Sequence, residues 1–456
     1  MNENPPSLPT VKKKSIFLRL FRWLAIVVLL LVLASSVYRY RLNRQIDAKL
    51  AAIRAAGYPV TWEELDRWYT RPSSNDFTEF YTTALSKLVE LNLPLKSLPH
   101  LDPLQLPSLG QPLTPETQTG IRTLLDTNKT VLTSLHQVRG VPSCRYQIEF
   151  TKQEAIYDSL PRFRNIGYAT QLLALDAVLS AELSEPQSAT DSLLSSFALD
   201  NSMRQEPDTY SRLILTCHHI FNVSAMEWCL SRKAFNDAQL LSLAAALTES
   251  ADETGMTRVF AGHRARILGV FERYRSGEYP LNKSIMSGLE DAIRKRTGLL
   301  EYDMLTCLDL VNEAILAAQQ PLDARPEAYK TVLRRLKAVP HVCALTHGRL
   351  LALHVDCDQD TSHLTQLRVA RTALAVERYR LAQGKLPVEL SDLVPAYLDA
   401  VPKDPFTGQA LHYVVRNPGF TVYSVGADGK DDGGVKTDAQ GVVFQPGTDI
   451  TFTVVR

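Results

Sequence analysis

The stretch QLLALDAVLSAEL, residues 171–183, carries the pattern that sets the fold class of this 456-residue chain. Its apolar residues recur three and four positions apart, which places them on one face of an α-helix. The same periodicity extends from about residue 114 to residue 383. Helix-breaking residues divide this region at Gly140, Pro186, Pro207, Pro280, Pro321 and Pro340. We therefore predict a mainly α protein with a body of antiparallel helix pairs, of which a short helical-repeat solenoid is one form.

Capping residues predict where several helices begin and end. Thr114, which is followed by proline, and Asn236 each precede an apolar-periodic run, so both are predicted N-caps. Thr61 to Glu64 form a capping-box sequence that opens another helix, and Gly57 ends the helix before it.

The amino terminus contains an uncharged run, residues 23–38, between two clusters of basic residues. As a helix this run spans roughly 24 Å, slightly less than the hydrocarbon core of a bilayer. The apolar residues just before this run can lengthen the span, because the side chains of Arg19 and Arg22, which lie among them, can extend to the headgroups. We predict a single transmembrane helix over residues 16–40. A secretory signal cleaved near Ala34 is the alternative, and the helix-forming sequence that continues without a break favours the membrane span.

Orientation is not decided by charge alone, because five Lys or Arg residues flank each side of the span. A short basic tail, residues 1–15, is typical of a cytoplasmic end, and long domains cross a membrane largely regardless of charge. We predict a single-pass protein of the cytoplasmic (inner) membrane with a cytoplasmic amino terminus and an extracytoplasmic, periplasmic remainder. Its six widely spaced cysteines match no paired zinc motif, and buried free thiols are the favoured interpretation.

Beyond the membrane span the sequence changes character three times. Residues 41–92 form a juxtamembrane helical segment, and residues 93–113 are rich in proline and predict an extended connector. The helical body covers residues 114–362, and a carboxyl-terminal α+β domain covers residues 363–456. The strands predicted for its small antiparallel sheet are residues 411–415 and 420–425 as a hairpin, then 442–444 and 450–455.

The sequence contains no nucleophile elbow, P-loop, zinc-protease helix or dinucleotide fingerprint. The formal net charge of +1 gives no reason to expect nucleic acid as a partner. The densest cluster of reactive side chains lies between residues 341 and 363. If that stretch is one helix, its near face carries Cys343, His347, His354 and Cys357. Zinc is one interpretation, but the ligands would spread over roughly 21 Å of helix, which favours ordinary buried positions.

The stretch YSVGADGKDDGG, residues 423–434, gathers carboxylates in a glycine-rich loop. Carboxylates crowded together repel one another unless water or a cation screens them, and oxygen ligands in a flexible loop suit Ca²⁺. The candidate ligands are Asp428, Asp431, Asp432 and Asp438. A plain polar turn is the alternative, and Lys430 excludes an EF-hand because it occupies the third loop position.

The sequence from Ala375 to Gly434 resembles the carboxyl-terminal part of the major pseudopilin of bacterial type II secretion. The shared order is a helix, then GKLP at 384–387, VPKDPF at 401–406, a hairpin, and YSVGADG at 423–429. This resemblance implies that Asp428 and one or both of Asp431 and Asp432 coordinate Ca²⁺, with Asp438 as a further candidate. The helical body, including GYPVTWEEL at 57–65, resembles membrane-anchored bacterial proteins that carry such a tail.

Together these features predict a non-enzymatic, membrane-anchored scaffold or protein-interaction protein with a calcium-stabilised, pseudopilin-like carboxyl-terminal domain. One expected setting is envelope or secretion machinery, and the expected partners are the membrane and another protein. Two alternatives stay open: an extracytoplasmic enzyme with a metal or acid/base site in the helical body, and a sensor that binds a small molecule or peptide.

Overall fold

The computed structural model describes residues 13–69, 78–90, 107–140, 144–150, 155–233, 235–278, 285–435 and 448–456. The helices are α1 (Lys13–Ala55), α2 (Trp62–Trp68), α3 (Thr78–Glu90), α4 (Pro115–Thr127), α5 (Lys129–His136), α6 (Ala155–Glu182), α7 (Pro186–Asn201), α8 (Thr209–Arg232), α9 (Asp237–Ser250), α10 (Gly255–Ser276), α11 (Ile285–Thr297), α12 (Leu299–Ala318), α13 (Arg325–Lys337), α14 (Ala344–Arg349) and α15 (Leu353–Gln383). The strands are β1 (His412–Val415), β2 (Gly419–Ser424) and β3 (Ile450–Val455). The predicted mainly α class with a small antiparallel sheet is confirmed.

Local capping chemistry accounts for the helix boundaries. The Thr114 hydroxyl accepts a hydrogen bond from the Thr117 N–H at the start of α4, and Asn236 with Gln239 forms a complete capping box on α9. Of the two bonds in the capping box predicted at Thr61, one forms: the Thr61 hydroxyl accepts from the Glu64 N–H and caps α2. The Glu64 carboxylate accepts from the N–H of Val60 instead of the N–H of Thr61. The predicted caps therefore begin helices as expected.

Helix α1 is 43 residues long, and its apolar side chains from Leu18 to Leu33 are exposed, whereas Leu42, Ile46 and Ile53 further along are buried. Trp23 is 68% exposed and Leu31 is 64% exposed. Apolar surface of this extent is unfavourable in water, and the length and composition of α1 are sufficient to cross a membrane. Among the described residues it is the one helix with these properties.

Contacts divide the chain into two compact units, and the smaller unit consists of residues 1–57, 268–309 and 339–349. Within it, α1 packs against α11, and Arg39 forms an ion pair with the buried carboxylate of Glu301. The Asp303 carboxylate accepts from the N–H groups of Leu345 and Thr346, so it caps the start of α14. A polar residue on α12 thus determines where a short helix distant in sequence begins.

The larger unit consists of residues 58–267, 310–338 and 350–456, and its core lies among α6, α7, α8, α9 and α15. The apolar face predicted from the stretch at 171–183 is buried there, since Leu173 and Ala177 have no exposed surface. Helix α15 also packs against β2 and β3, so the sheet shares this core. The domain boundary predicted at residue 363 lies inside the continuous helix α15.

The sheet has the strand order β1-β2-β3, and both pairs are antiparallel. The hairpin and the last strand agree with the predicted ranges to within about one residue. The strand predicted at 442–444 and most of the proline-rich connector at 93–113 lie outside the described residues.

Strand β3 is an edge strand whose outward N–H groups bond to side chains of helix α8. Glu227 accepts from the Thr453 N–H at 2.6 Å, and Ser231 accepts from the Val455 N–H at 3.1 Å. The Arg456 guanidinium donates to the Leu230 carbonyl of the same helix. These bonds cover an edge that would otherwise offer a template for strand pairing.

Candidate functional site

The side chains of the acidic loop near the carboxyl terminus make their polar contacts mainly with groups of the loop itself and the adjoining strand. The Asp428 carboxylate accepts from the Lys430 N–H at 3.0 Å, and the Lys430 ammonium lies 3.8 Å from its second oxygen. The Asp431 carboxylate accepts from the Tyr423 hydroxyl and from the Gly433 N–H, and the Gly433 bond lowers the pKa of Asp431. Both predicted ligands therefore stabilise the turns that contain them.

The carboxylate that organises this loop is Asp449, which the sequence interpretation did not single out. It is 7% exposed and accepts from the Gly434 N–H at 2.7 Å and from the Asp432 N–H at 3.4 Å. Burial raises the pKa of Asp449, and the negative charges of Asp431 and Asp432 raise it further. Asp449 stands more than fourteen residues beyond the glycine-rich stretch, so spacing within the loop gave no signal for it.

The VPKDPF segment contains a second buried carboxylate beside the sheet. Asp404 has no exposed surface and accepts from the Val425 N–H at 3.0 Å and the Phe406 N–H at 2.9 Å. It thereby ties the end of β2 to the preceding turn. This role is structural, because each carboxylate oxygen of Asp404 accepts from a backbone N–H.

The described residues do not bring the predicted calcium ligands to one point. Among them, no three His, Cys, Asp or Glu side chains are grouped so that they could hold a metal ion. Asp432 contributes its backbone N–H rather than its carboxylate to the Asp449 contact, and Asp438 lies outside the described residues. Calcium binding stays a prediction that rests on the resemblance and on the charge density of the loop.

The cluster between residues 341 and 363 is not one helix, so the premise of a single ligand face there is wrong. Helix α14 ends at Arg349 and α15 begins at Leu353. Cys343 and His347 belong to the smaller unit, whereas His354 and Cys357 belong to the larger one. His347 bonds to the Val339 carbonyl and His354 to the Leu351 carbonyl. None of the six cysteines forms a disulfide, and five of them are buried.

The helical body instead buries a polar network around Asp200 of α7, which has no exposed surface. Its carboxylate accepts from the Thr170 hydroxyl at 2.7 Å, from the Asn222 amide at 2.6 Å, and from the imidazole Nδ1 of His218 at 3.0 Å. The Ser196 hydroxyl in turn donates to the Asn222 carbonyl. We call these five residues the Asp200 cluster. Three helices supply them, and every member has a partner, which is the condition for burying polar groups without a large cost.

A second buried element is the pair of histidines His219 and His363, from α8 and α15. His219 Nδ1 lies 2.9 Å from His363 Nε2, and the rings stack with centroids 5.1 Å apart. The Arg212 guanidinium, which can only donate, lies 3.5 Å from His363 Nδ1. His363 therefore accepts at Nδ1 and donates from Nε2 to His219 Nδ1. The remaining proton of His219 sits on Nε2, which has no partner among the described residues.

Arg212 connects the histidines to a buried carboxylate on α15. Its guanidinium lies 3.6 Å from Asp360, whose other oxygen accepts from Arg325 and from the Tyr329 hydroxyl, both at 2.9 Å. Burial lowers the pKa values of both histidines, and the Arg212 charge lowers them further. Both rings are therefore neutral near pH 7.

His218 and His219 are adjacent on α8 and point in different directions. Neither residue was singled out from the sequence, and nor were their partners, which come from α7 and α15. The available signal was the presence of polar residues on helix faces that are otherwise apolar, such as Asp200 directly after Phe197, Ala198 and Leu199. No protein-family model, curated protein or solved structure matches this chain, so these comparisons assign it to no family.

Proposed function

We propose that this chain is a membrane-anchored scaffold or protein-interaction protein that is attached to the cytoplasmic membrane by α1 and displays its folded part outside the cytoplasm. The support for the anchor is the length and exposure of the apolar helix α1. The orientation rests on the short basic tail that precedes it. Envelope or secretion machinery is the proposed setting, because of the pseudopilin-like sequence of the tail.

The attachment of the sheet to the helical body is the observation that carries a scaffolding role. Edge strand β3 is bonded to α8 by Glu227 and Ser231, and Arg456 bonds to both the Leu230 carbonyl and the buried carboxylate of Glu377. A sheet held in this way presents its remaining surface in a constant orientation. Rigid presentation is what a protein needs when it positions a partner rather than transforms a substrate.

We also propose that Ca²⁺ binds the acidic loop and stabilises the carboxyl-terminal sheet. Repulsion among Asp431, Asp432 and the buried Asp449 is the supporting observation, since a divalent cation would remove it. Five glycines in this region, Gly426, Gly429, Gly433 and Gly434 with Gly419 before them, adopt positive φ, so carbonyl oxygens can turn toward an ion.

Display outside the cytoplasm is tested with the full chain carrying a tag at each terminus. In spheroplasts, external protease should remove the carboxyl-terminal tag and leave the amino-terminal tag intact. Photo-crosslinkers at Val388 and Val415, which are 86% and 55% exposed, should then give a discrete adduct with a membrane or envelope protein. Glu227→Ala should weaken that adduct because it releases the sheet edge, whereas Glu227→Gln keeps an acceptor and should not. Absence of any adduct at either position would contradict the interaction role.

Calcium binding is tested on the full chain in lipid nanodiscs, because the sheet depends on α8 and is not treated as an independent fragment. Calcium at about 100 times its dissociation constant should stabilise the fold by roughly 2.7 kcal/mol, and magnesium should do much less. Asp432→Asn should abolish the gain while leaving the backbone N–H that bonds to Asp449. Asp191→Asn on α7 is the matched control. An equal response to calcium in both variants would remove this site.

A further inference from the structure

A cavity of about 650 Å³ lies between helices α6 and α8 within the larger unit. Side chains spaced three and four residues apart on each helix form its walls. They include Arg164, Tyr168 and Gln171 of α6 and Tyr210, Ile214 and His218 of α8. The volume falls within the range of small-molecule sites in proteins. The cavity lies apart from the acidic loop and from the sheet attachment.

The histidine in this wall is held rigidly from behind. His218 Nδ1 bonds to Asp200 at 3.0 Å, and the Asp200 cluster fixes that carboxylate through Thr170 and Asn222. The imidazole orientation is thereby set before any ligand arrives, as in sites where a buried carboxylate orients a histidine. His218 Nε2 has no hydrogen-bond partner among the described residues, so it is the atom left for a ligand.

A glycine keeps the histidine accessible. Gly167 of α6 also lines the cavity, and a Cβ added there would lie 3.2 Å from His218 Nε2. Glycine is unfavourable inside a helix, and at this position any larger residue would crowd the His218 ring. The space in front of Nε2 depends on it.

The charges of the wall indicate the chemical class of ligand. Among the described residues that line the cavity, Arg164 and His218 are the side chains that can carry positive charge, and none is a carboxylate. Arg164 is exposed and forms no ion pair with any described residue. Apart from the Gln171 amide, the rest of the wall is aromatic or apolar and includes Phe163, Tyr210 and Ile214. A ligand that suits these walls has an anionic end and an apolar body.

We propose that this cavity binds a small organic carboxylate with an aromatic or aliphatic body. The carboxylate accepts hydrogen bonds from His218 Nε2 and from the Arg164 guanidinium, and the apolar part packs against Tyr210 and Ile214. The charge of a protonated His218 is balanced by Asp200 behind it, so the ion pair can form without leaving a buried charge uncompensated. This binding function is separate from the scaffolding role and does not depend on calcium.

The test compares two probes that differ in charge and little else. The full chain in lipid nanodiscs is titrated with 3-phenylpropionate and with 3-phenylpropionamide by calorimetry and by ligand-detected saturation-transfer NMR, with empty nanodiscs as the blank. The carboxylate should bind roughly tenfold or more tightly than the amide, because hydrogen bonds to a charged group are stronger than neutral ones. Gly167→Ala should weaken both probes, since its methyl group presses on the imidazole.

Arg164→Gln is the decisive variant, because Arg164 is exposed and its loss breaks no described contact. We expect it to reduce the affinity for the carboxylate roughly tenfold, to the level of the amide, and to leave the amide unaffected. His218→Gln should do the same. Arg334→Gln, an exposed arginine of α13, is the matched control and should change neither affinity. Equal affinities for the two probes, no binding of either, or an equal effect of Arg164→Gln and Arg334→Gln would each overturn the proposal.

Discussion

Acidification should destabilise the larger unit through the buried pair His219 and His363. Burial lowers the pKa values of both rings, and the Arg212 charge lowers them further. In the unfolded chain each histidine titrates near pH 6.5. Below that pH the unfolded state binds more protons than the folded state, in which the two histidines stay neutral. The stability contributed by neutral histidines is therefore present above pH 6.5 and lost as the pH falls.

The size of the effect follows from the number of protons involved. Each histidine that stays neutral in the folded state costs up to about 1.4 kcal/mol per pH unit below its unfolded pKa. Two such histidines give about 4 kcal/mol between pH 7.5 and pH 5, which is a large part of the roughly 5–15 kcal/mol that stabilises a typical domain. The hydrogen bond between the rings explains why neither accepts a proton easily. A proton added to His219 Nδ1 would face the N–H of His363, and one added to His363 Nδ1 would face the Arg212 guanidinium.

The measurement is pulse proteolysis in urea from pH 7.5 to pH 5 on the full chain in nanodiscs. Asp356 acts in the opposite sense, because burial and the Asp208 charge raise its pKa to about 7 and stability from this group falls as the pH rises from about 4 to 7. The comparison is therefore made between variants. The double variant His219→Gln/His363→Gln should show a pH dependence shallower by about 4 kcal/mol over this range. His354→Gln, which alters an exposed histidine, should retain the wild-type slope. Parallel profiles for the wild type and the double variant would refute the reasoning.

Three further changes have expected outcomes. Asp200→Asn should lower the free energy of unfolding by about 1–3 kcal/mol, because the new amide places an N–H donor against another donor of the Asp200 cluster. Asp191→Asn on the same helix should lower it by less than about 0.5 kcal/mol. Equal losses in urea denaturation would contradict the central role of Asp200 in this cluster. Glu227→Ala should speed hydrogen exchange at the Thr453 amide, measured by mass spectrometry, whereas Glu227→Gln should not. Similar exchange in both variants would show that the bond from Thr453 to Glu227 does not hold β3 against α8. Leu30→Lys in α1 should make the free energy of membrane insertion less favourable by about 2.5–3.5 kcal/mol and shift the protein to the carbonate-extractable fraction. The Leu30→Ala protein should remain in the membrane. Equal fractionation of the two variants would argue against a spanning helix.

Much of the secondary structure could be predicted because its causes are local. Thr114 and Asn236 cap helices through bonds to residues three positions away, and Gly384 ends α15 in the left-handed conformation that glycine adopts without strain. The hairpin of β1 and β2 follows from alternation around a turn. These signals lie within a few residues of the structure they determine.

The premise that residues 341–363 form one helix was wrong, and the start of the first of the two helices there depends on a contact that is not local. The stretch has no proline after Pro340, and its composition permits a continuous helix. Asp303, some forty residues earlier, sets where α14 begins through the N–H groups of Leu345 and Thr346, and the chain turns at residues 350–352 before α15 starts. A contact of that kind has no signature in the sequence around it.

The sequence by itself determined the elements of this protein: an apolar helix suited to a membrane, a succession of amphipathic helices, and a short antiparallel sheet at the end. Periodicity, caps and turn residues act within one helical turn or one hairpin, so they can be recognised without coordinates. Only the tertiary structure decided which polar residues meet. Asp200 and His218 lie on different helices, as do His219 and His363, and Glu227 bonds to a strand more than two hundred residues away. Pairings at such separations depend on how the helices pack, because the periodic pattern of each helix specifies a buried face but not the neighbour that covers it.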